Sequence, residues 1–315
     1  MNPPAPNIEE IGVYIPAGRI SNRERQAQFG FDDAFLENKI GMLATAVKAQ
    51  EEETSDLCLK AFAALEAKRP VDRSALGCVV VVTQNPDSNL PHVSAKLQGL
   101  LGLPERCACF DVSLGCSGYV HGLAIVQSFM QAQGIAQGLL FTADPYSKIV
   151  DPADKNTSLL FGDAATVTLL GERGRYAAGP FTFGTLGREH EELRCLPGGK
   201  LEMNGQAIFN FAARTVPADL RRLLASAGLV LEEVDRFLLH QGSKFIVDTL
   251  IQRARLDPAK VPFAVADYGN TISSSIPILL EKEIASGTAR TMVLSGFGVG
   301  LAYASAVLRQ TSFAL

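Results

Sequence analysis

Continuous apolar, β-branched runs alternate along this chain with longer stretches whose apolar residues recur at helical spacing. The runs Leu76 to Thr83 (LGCVVVVT) and Thr291 to Ser295 show no polar face, as strands covered on both sides do. Thr54 to Lys68 and Leu90 to Leu101 place apolar residues every third or fourth position and predict helices. Strands alternating with helices in this way predict an α/β fold with a largely buried sheet.

The first half of the chain echoes in the second. Val71-Asp72 and the strand ending at Thr83 resemble Val234-Asp235 and the strand ending at His240. Asp111 opens a turn of small residues, then a helix over 117–133 and a strand at 139–142. Asp267 opens a similar turn, then a helix over 276–286 and a strand at 292–295. Two similar halves, residues 1–172 and 173–315, would meet at the Gly-Glu-Arg-Gly-Arg turn of residues 171–175 and bring equivalent turns together across a pseudo-twofold axis. On the echo alone, duplication and a chance likeness between α/β segments both stay open.

With 47% hydrophobic residues in 315, the chain can bury a large core. A net charge of −4 gives no basic excess for a phosphate backbone and argues against nucleic acid as a partner. Met1 to Asn7 are Pro-rich and lack the charged start and apolar stretch of a targeting peptide. No apolar run approaches the roughly 18 residues of a membrane span, so a cytoplasmic protein is expected. Cys58, Cys78, Cys107, Cys109, Cys116 and Cys195 form no CxxC pair and read as reduced core cysteines. The four histidines show no HxH or HxxxH spacing, so no metal site is expected. Glu51 to Glu53 reads as a solvated loop or a helix start.

The segment FDVSLGCSGYVHGL, residues 110–123, ends a strand and begins a helix. Gly115 and Gly118 flank Cys116 and permit a tight turn. A thiol at a helix start meets the positive end of the helix dipole, which is expected to lower its pKa and make it a nucleophile. His240 ends the apolar strand Arg236-Phe-Leu-Leu, at the strand end where α/β folds place ligands. His92, His121 and His190 are weaker candidates by position. Asn270 lies in a turn of small polar residues before a helix, with Ser273 to Ser275 as expected helix caps. Its amide can alternatively serve a developing oxyanion. The loop Gly296-Phe-Gly-Val-Gly300 follows a strand, but only fifteen residues come after Gly300, too few for a dinucleotide-binding unit.

Taken in order and spacing, five motifs resemble the ketoacyl-ACP synthase III branch of the thiolase superfamily over essentially the whole chain. They are Asp111-Val with Cys116-Ser-Gly, Phe161-Gly-Asp163-Ala, His240-Gln241, Gly269-Asn270-Thr and Gly296-Phe-Gly-Val-Gly-Leu. The resemblance implies a duplicated five-layer αβαβα architecture and a homodimer. It also implies that Cys116 takes an acyl group from a coenzyme A or carrier-protein thioester, without a cofactor. Malonyl-ACP then loses carbon dioxide and its enolate attacks the acyl-enzyme. In that scheme His240 and Asn270 bind the malonyl thioester oxygen, and the backbone N–H groups of Cys116 and Val299 bind the acyl oxyanion. Thiolases are set apart by a second cysteine in the last glycine loop, and elongating synthases by a second histidine where this chain has Asn270. A plant-type (type III) polyketide synthase, a pure acyltransferase or thioesterase, and a non-catalytic partner of a heterodimeric synthase remain alternatives.

The chain also departs from the family pattern. It contains no tryptophan, whereas the family stacks one on the adenine of coenzyme A. The corresponding region is Phe35 to Gly41, Lys155 stands for the usual arginine beside Asp154, and a lysine neither stacks nor forks as arginine does. Ser243 is the polar residue three places after the histidine, and Phe245 replaces an arginine that faces the carrier. A carrier-bound donor, or a coenzyme A ester held differently, follows as an expectation. Lys244, Arg253, Arg255 and Arg214 are the candidate carrier-protein patch. Phe209 and, from a neighbouring subunit, Leu90 are the candidate acyl-pocket residues.

Overall fold

The computed structural model describes residues 5–311. Residues 1–4 of the Pro-rich start lie outside the described residues. β1 (Asn7–Tyr14) is followed by a short ribbon of β2 (Gly18–Ser21) with β3 (Ala44–Val47). Next come β4 (Leu76–Val82), β5 (Ala108–Val112), β6 (Gln137–Ala143) and β7 (Ala165–Gly171). β8 (Tyr176–Thr185) precedes a second ribbon, β9 (Leu193–Cys195) with β10 (Leu201–Met203). β11 (Arg236–Leu239), β12 (Thr291–Gly298) and β13 (Ala302–Gln310) complete the set.

Nine strands run in the order β11-β12-β13-β8-β1-β7-β6-β4-β5. The two segments of this array, β11-β12-β13-β8 and β1-β7-β6-β4-β5, are joined through the pair Ile8 and Tyr176. On one side β4 lies parallel to β6, β6 antiparallel to β7, and β7 antiparallel to β1. On the other, β11 lies parallel to β12, β12 antiparallel to β13, and β13 antiparallel to β8. The echo read in the sequence is thus a repeat of strand senses in the same order. β5, parallel to β4 at the edge, has no strand counterpart among the described residues.

The helices α1 (Thr54–Lys68), α2 (Val93–Leu100), α3 (Gly118–Gln133), α4 (Gly205–Ala227), α5 (Lys244–Ala254) and α6 (Ser275–Ser286) supply the remaining layers. Side chains alternate across each strand, so β4 sends Val79 and Val81 toward α1 and α2 and Val80 and Val82 toward α3 and α6. Both faces are covered, which is why that run carries no polar positions. α4 and α5 pack on the far face of the second sheet segment, against Phe237, Leu239, Val293 and Val307. The layers therefore read helix, sheet, helix, sheet, helix. The central pair, α3 and α6, start from the turns that hold Cys116 and Asn270.

Several boundaries differ from expectation for local reasons. α2 starts at Val93 rather than Leu90, because Pro91 and His92 precede it and the Asp111 carboxylate caps its first turn, accepting the Val93 and Ser94 N–H groups at 2.7 and 2.9 Å. Glu53 and Asp56 form a reciprocal cap on α1, while Glu52 is buried and pairs with Lys60, so the acidic run is not uniformly solvated. The glycine motif also shifts: Gly296 and Gly298 belong to β12, and only the residues after them form a turn. All six cysteines are free, but Cys195 is exposed and Cys109 half-buried, so core placement holds for the other four alone.

Candidate active site

Cys116, His240 and Asn270, from three distant parts of the sequence, line one cavity of about 570 Å³. They are 5%, 2% and 3% exposed. Glycine makes the approach to the sulfur possible. A β-carbon on Gly298 would stand 2.8 Å from Cys116 Sγ, and one on Gly296 would stand 2.6 Å from the Cys116 carbonyl oxygen. Cys116 sits one residue before Ser117, the residue that opens α3, and the Ser117 side chain makes no cap hydrogen bond.

The expectation of a depressed thiol pKa is overturned. Burial, then the charge of Asp144, push the Cys116 thiol up to about 12, against hydrogen bonds from the Val299 and Cys116 N–H groups. A helix start contributes about 0.3–1 kcal/mol, too little to offset removal from water beside a carboxylate. The resting sulfur is therefore a thiol on which two backbone donors converge. Val299 stands where glycine is usual, and the only non-glycine residues with positive φ among the described residues are Arg255 and Ile272. The valine thus presents its N–H without left-handed strain.

His240 is held by its surroundings. Its backbone N–H donates to the Ser295 carbonyl at 2.9 Å, extending the pairing of β11 with β12, and Phe297 packs edge-on at 5.5 Å. Nδ1 lies 2.7 Å from the Ser275 hydroxyl. Burial pushes the imidazole pKa down to about 3, with a backbone hydrogen bond at Ile272 opposing it, so the ring is neutral near pH 7. His121, by contrast, bonds the Ser117 carbonyl through Nδ1 and packs on Phe183, and it does not line the cavity.

Asn270 is anchored at both ends. Its backbone pairs with the Leu160–Gly162 segment, its N–H reaching the Leu160 carbonyl at 2.8 Å and its carbonyl accepting Gly162 N–H at 2.9 Å. Its Oδ1 accepts the Ile272 N–H at 3.0 Å, which leaves the amide Nδ2 as the free donor. Ile272 pays for this turn with a φ of 52°, rare for a β-branched residue. The Phe161-Gly-Asp163 motif is the mount: a β-carbon on Gly162 would strike the Tyr268 carbonyl, and Asp163 accepts from Lys48 N–H, Ser147 N–H and the Ser147 hydroxyl. The serines expected as caps do other work. Ser273 bonds Asp144, Ser274 bonds Thr142, and Ser275 meets His240.

The mouth of the cavity is aromatic and cationic. Phe209 stacks on Phe245 at 5.0 Å, the Lys39 ammonium lies 3.6 Å from the Phe245 ring centre, and Lys155 lies 4.8 Å from the Phe35 ring and donates to the Phe29 carbonyl. Lys155 thus engages aromatic faces as a cation over rings, not by the planar stacking open to an arginine. Lys39 and Phe35 sit on or beside a π-helical turn, Leu36–Ile40, a form frequent at functional sites. Ser243 lines the cavity and caps α5 through Ile246 N–H at 3.3 Å.

Other expected site residues are placed elsewhere. Leu90 is 82% exposed and does not line the cavity of its own chain. The four cations of the expected carrier patch do not form one cluster. Lys244 pairs with Asp248 and Arg214 with Glu189. Arg253 and Arg255 lie at the other end of α5 from Lys244, along a groove with Arg221 over Leu220 and Leu224. Side chains nine or more residues apart on one helix stand on the order of 14 Å apart, so Lys244 and the two arginines mark opposite ends of α5.

A duplicated α/β fold with a buried cysteine beneath two backbone donors, a neutral histidine and an asparagine amide defines a thiolase-fold condensing enzyme, an acyltransferase. The family model for 3-oxoacyl-[acyl-carrier-protein] synthase III matches residues 110–187, and the model for the C-terminal part of that family matches residues 224–310. The chain is similar to the β-ketoacyl-[acyl-carrier-protein] synthase III of Levilactobacillus brevis, 31% identical over 96% of this chain and 98% of the relative. It superposes on the synthase III crystal structure from Thermus thermophilus with a TM-score of 0.90 and 31% identity, covering 97% of this chain and 99% of that one. The priming β-ketosynthase of the R1128 polyketide pathway aligns with a TM-score of 0.88 and 26% identity over 97% and 96%. The chain belongs to the 3-oxoacyl-[acyl-carrier-protein] synthase III family.

Proposed function

We propose that the cavity joins an acyl group to a malonyl unit in two stages, as the first carbon–carbon bond-forming step of fatty-acid assembly or of a specialised acyl-joining pathway. The Cys116 sulfur attacks an acyl thioester, its proton passes to the departing thiol, and an acyl-enzyme remains. Malonyl-ACP then enters, and its carboxylate leaves as carbon dioxide. The electron pair of the broken carbon–carbon bond becomes an enolate that attacks the acyl carbonyl. The Cys116 thiolate departs and is reprotonated, leaving a 3-oxoacyl thioester. No electrons enter or leave, so the reaction needs no redox cofactor.

The observation that carries this reading is the convergence of two kinds of donor on one cavity. The N–H groups of Cys116 and Val299 reach the sulfur from one side and suit the oxyanion of acyl transfer. His240 and the Asn270 amide face the same space and suit the malonyl thioester oxygen as charge grows there. Where the Ser275 hydroxyl donates to Nδ1, the neutral ring carries its proton on Nε2 and can donate it. Presence of the whole set argues against a non-catalytic subunit.

The donor is a carrier-bound acyl group or a coenzyme A ester held by the phenylalanine and lysine mouth, in which Phe209, Ser243 and Lys155 contact the pantetheine arm or the acyl chain. Lys244, Arg214, Arg253 and Arg255 act separately on a carrier, with the two free arginines the stronger anchors. A second copy covers the edge strand β5 and brings its Leu90 to the acyl pocket. Residues 1–172 and 173–315 are the two halves of each subunit, which works in the cytoplasm. Among the described residues no helix is long and apolar enough to cross a membrane.

Release of carbon dioxide from malonyl-ACP, measured with and without an acyl donor, tests the reaction. Release that rises with the donor and accompanies a 3-oxoacyl product is expected. Acyl transfer with no carbon dioxide would replace this reading with the pure acyltransferase.

A further inference from the structure

Behind the cavity lies a buried carboxylate that the mechanism above does not use. Asp144 directly follows β6, has no exposed surface, and does not line the cavity. One of its oxygens accepts the Gln84 N–H at 2.7 Å and the other accepts the Ser273 hydroxyl at 2.5 Å. Gln84 backs the nucleophile turn, because a β-carbon on Gly115 would stand 2.6 Å from its Oε1, which accepts the Tyr146 hydroxyl at 2.9 Å. Ser273 belongs to the turn that presents Asn270. That turn contains the left-handed Ile272 and is fastened on either side by Asn270 to Ile272 N–H and by Ser275 to His240. The carboxylate therefore grips the Cys116 side of the site with one oxygen and the His240 and Asn270 side with the other.

No lysine, arginine or histidine pairs with Asp144 among the described residues, and Cys116, Tyr146 and Cys58 are the titratable groups that feel its charge. Burial keeps all three protonated. Both hydrogen-bond partners of Asp144 donate, so the two acceptor oxygens of a carboxylate suit this place as the one acceptor and one donor of an asparagine would not.

We propose that Asp144 is a positioning residue: its carboxylate clamps the Asn270–Ser275 turn against the nucleophile turn through its two oxygens. Burial raises the carboxyl to about 6 against these hydrogen bonds. The clamp rests on the proposed condensation at Cys116.

Ser273→Ala removes the hydroxyl arm of the clamp and leaves the carboxylate bonded to the Gln84 N–H. It should lower kcat for condensation about tenfold at constant KM, with Ser273→Thr recovering the rate. Iodoacetamide labelling of the intact protein, read at the Cys116 peptide, should stay at the wild-type rate. Wild-type kcat in Ser273→Ala, or a loss of labelling as large as the loss of kcat, overturns the clamp. A wild-type protein that labels normally but never condenses would instead contradict the proposed function.

Discussion

The Ser275 hydroxyl stands 2.7 Å from Nδ1 of His240, from the first turn of α6 to the end of β11. One contact thereby fixes the plane of the imidazole and decides which nitrogen faces the cavity. Ser275→Ala should cut the rate of malonyl decarboxylation by about tenfold while acyl transfer to Cys116 continues, since a neutral ring without this partner can take either tautomer. Equal loss in both half-reactions, measured separately, would show that the serine only supports the fold.

His240 and Asn270 should be separable from Cys116 in the same way. Asn270→Ala is expected to lower decarboxylation by about 10²–10³-fold, the size seen when one oxyanion donor is removed. Acylation of Cys116, followed by rapid-quench mass measurement, should persist in that variant. An acylation defect as large as the decarboxylation defect would place the amide in the first stage instead.

Gly298 is the tightest point around the sulfur. A methyl there would press within 2.8 Å of both Cβ and Sγ of Cys116. Gly298→Ala should therefore lose at least about 100-fold in acylation while the protein stays folded, because a displacement of the reacting atom on the order of 1 Å carries such a loss. Thermal melting together with acylation kinetics checks this, and normal acylation would mean the sulfur is free to move aside.

Burial holds His240 at a pKa of about 3, against 6.5 for an exposed imidazole. Between these values the unfolded chain takes up a proton that the folded chain refuses. The stability tied to this residue is thus fully present above about pH 6.5 and lost as pH falls toward 3. Asp144 has the opposite sign: its carboxyl is raised from 3.8 to about 6, so it favours folding below that window and ceases to as pH rises through it. In urea titrations His240→Gln should flatten the decline in midpoint between pH 6.5 and 4. Curves that fall in parallel with wild type would contradict a buried neutral imidazole.

Much of this architecture was legible in the chain. The eight-residue run at Leu76 had no polar face because it is covered on both sides, and α1 was readable to the residue because its apolar stripe is regular and Glu53 and Asp56 cap it. Cys116, His240 and Asn270 were visible because each ends a strand or turn with small neighbours. What stayed hidden depends on distant partners. The serines at 273–275 look like helix caps until Thr142, Asp144 and His240 arrive beside them. The thiol pKa went the other way because burial and Asp144 are properties of the assembled core. Arg214 read as part of a carrier-protein patch, and its pairing with Glu189 was hidden because that partner lies 25 positions away.

The most direct test of the account is the mass of the intact protein after incubation with a panel of acyl-CoA and acyl-ACP donors, followed by mapping of the modified peptide. The account predicts one acyl increment per chain, located on Cys116, discharged by malonyl-ACP and missing from Cys116→Ala. An increment on another residue, or full condensation by Cys116→Ala, would contradict it.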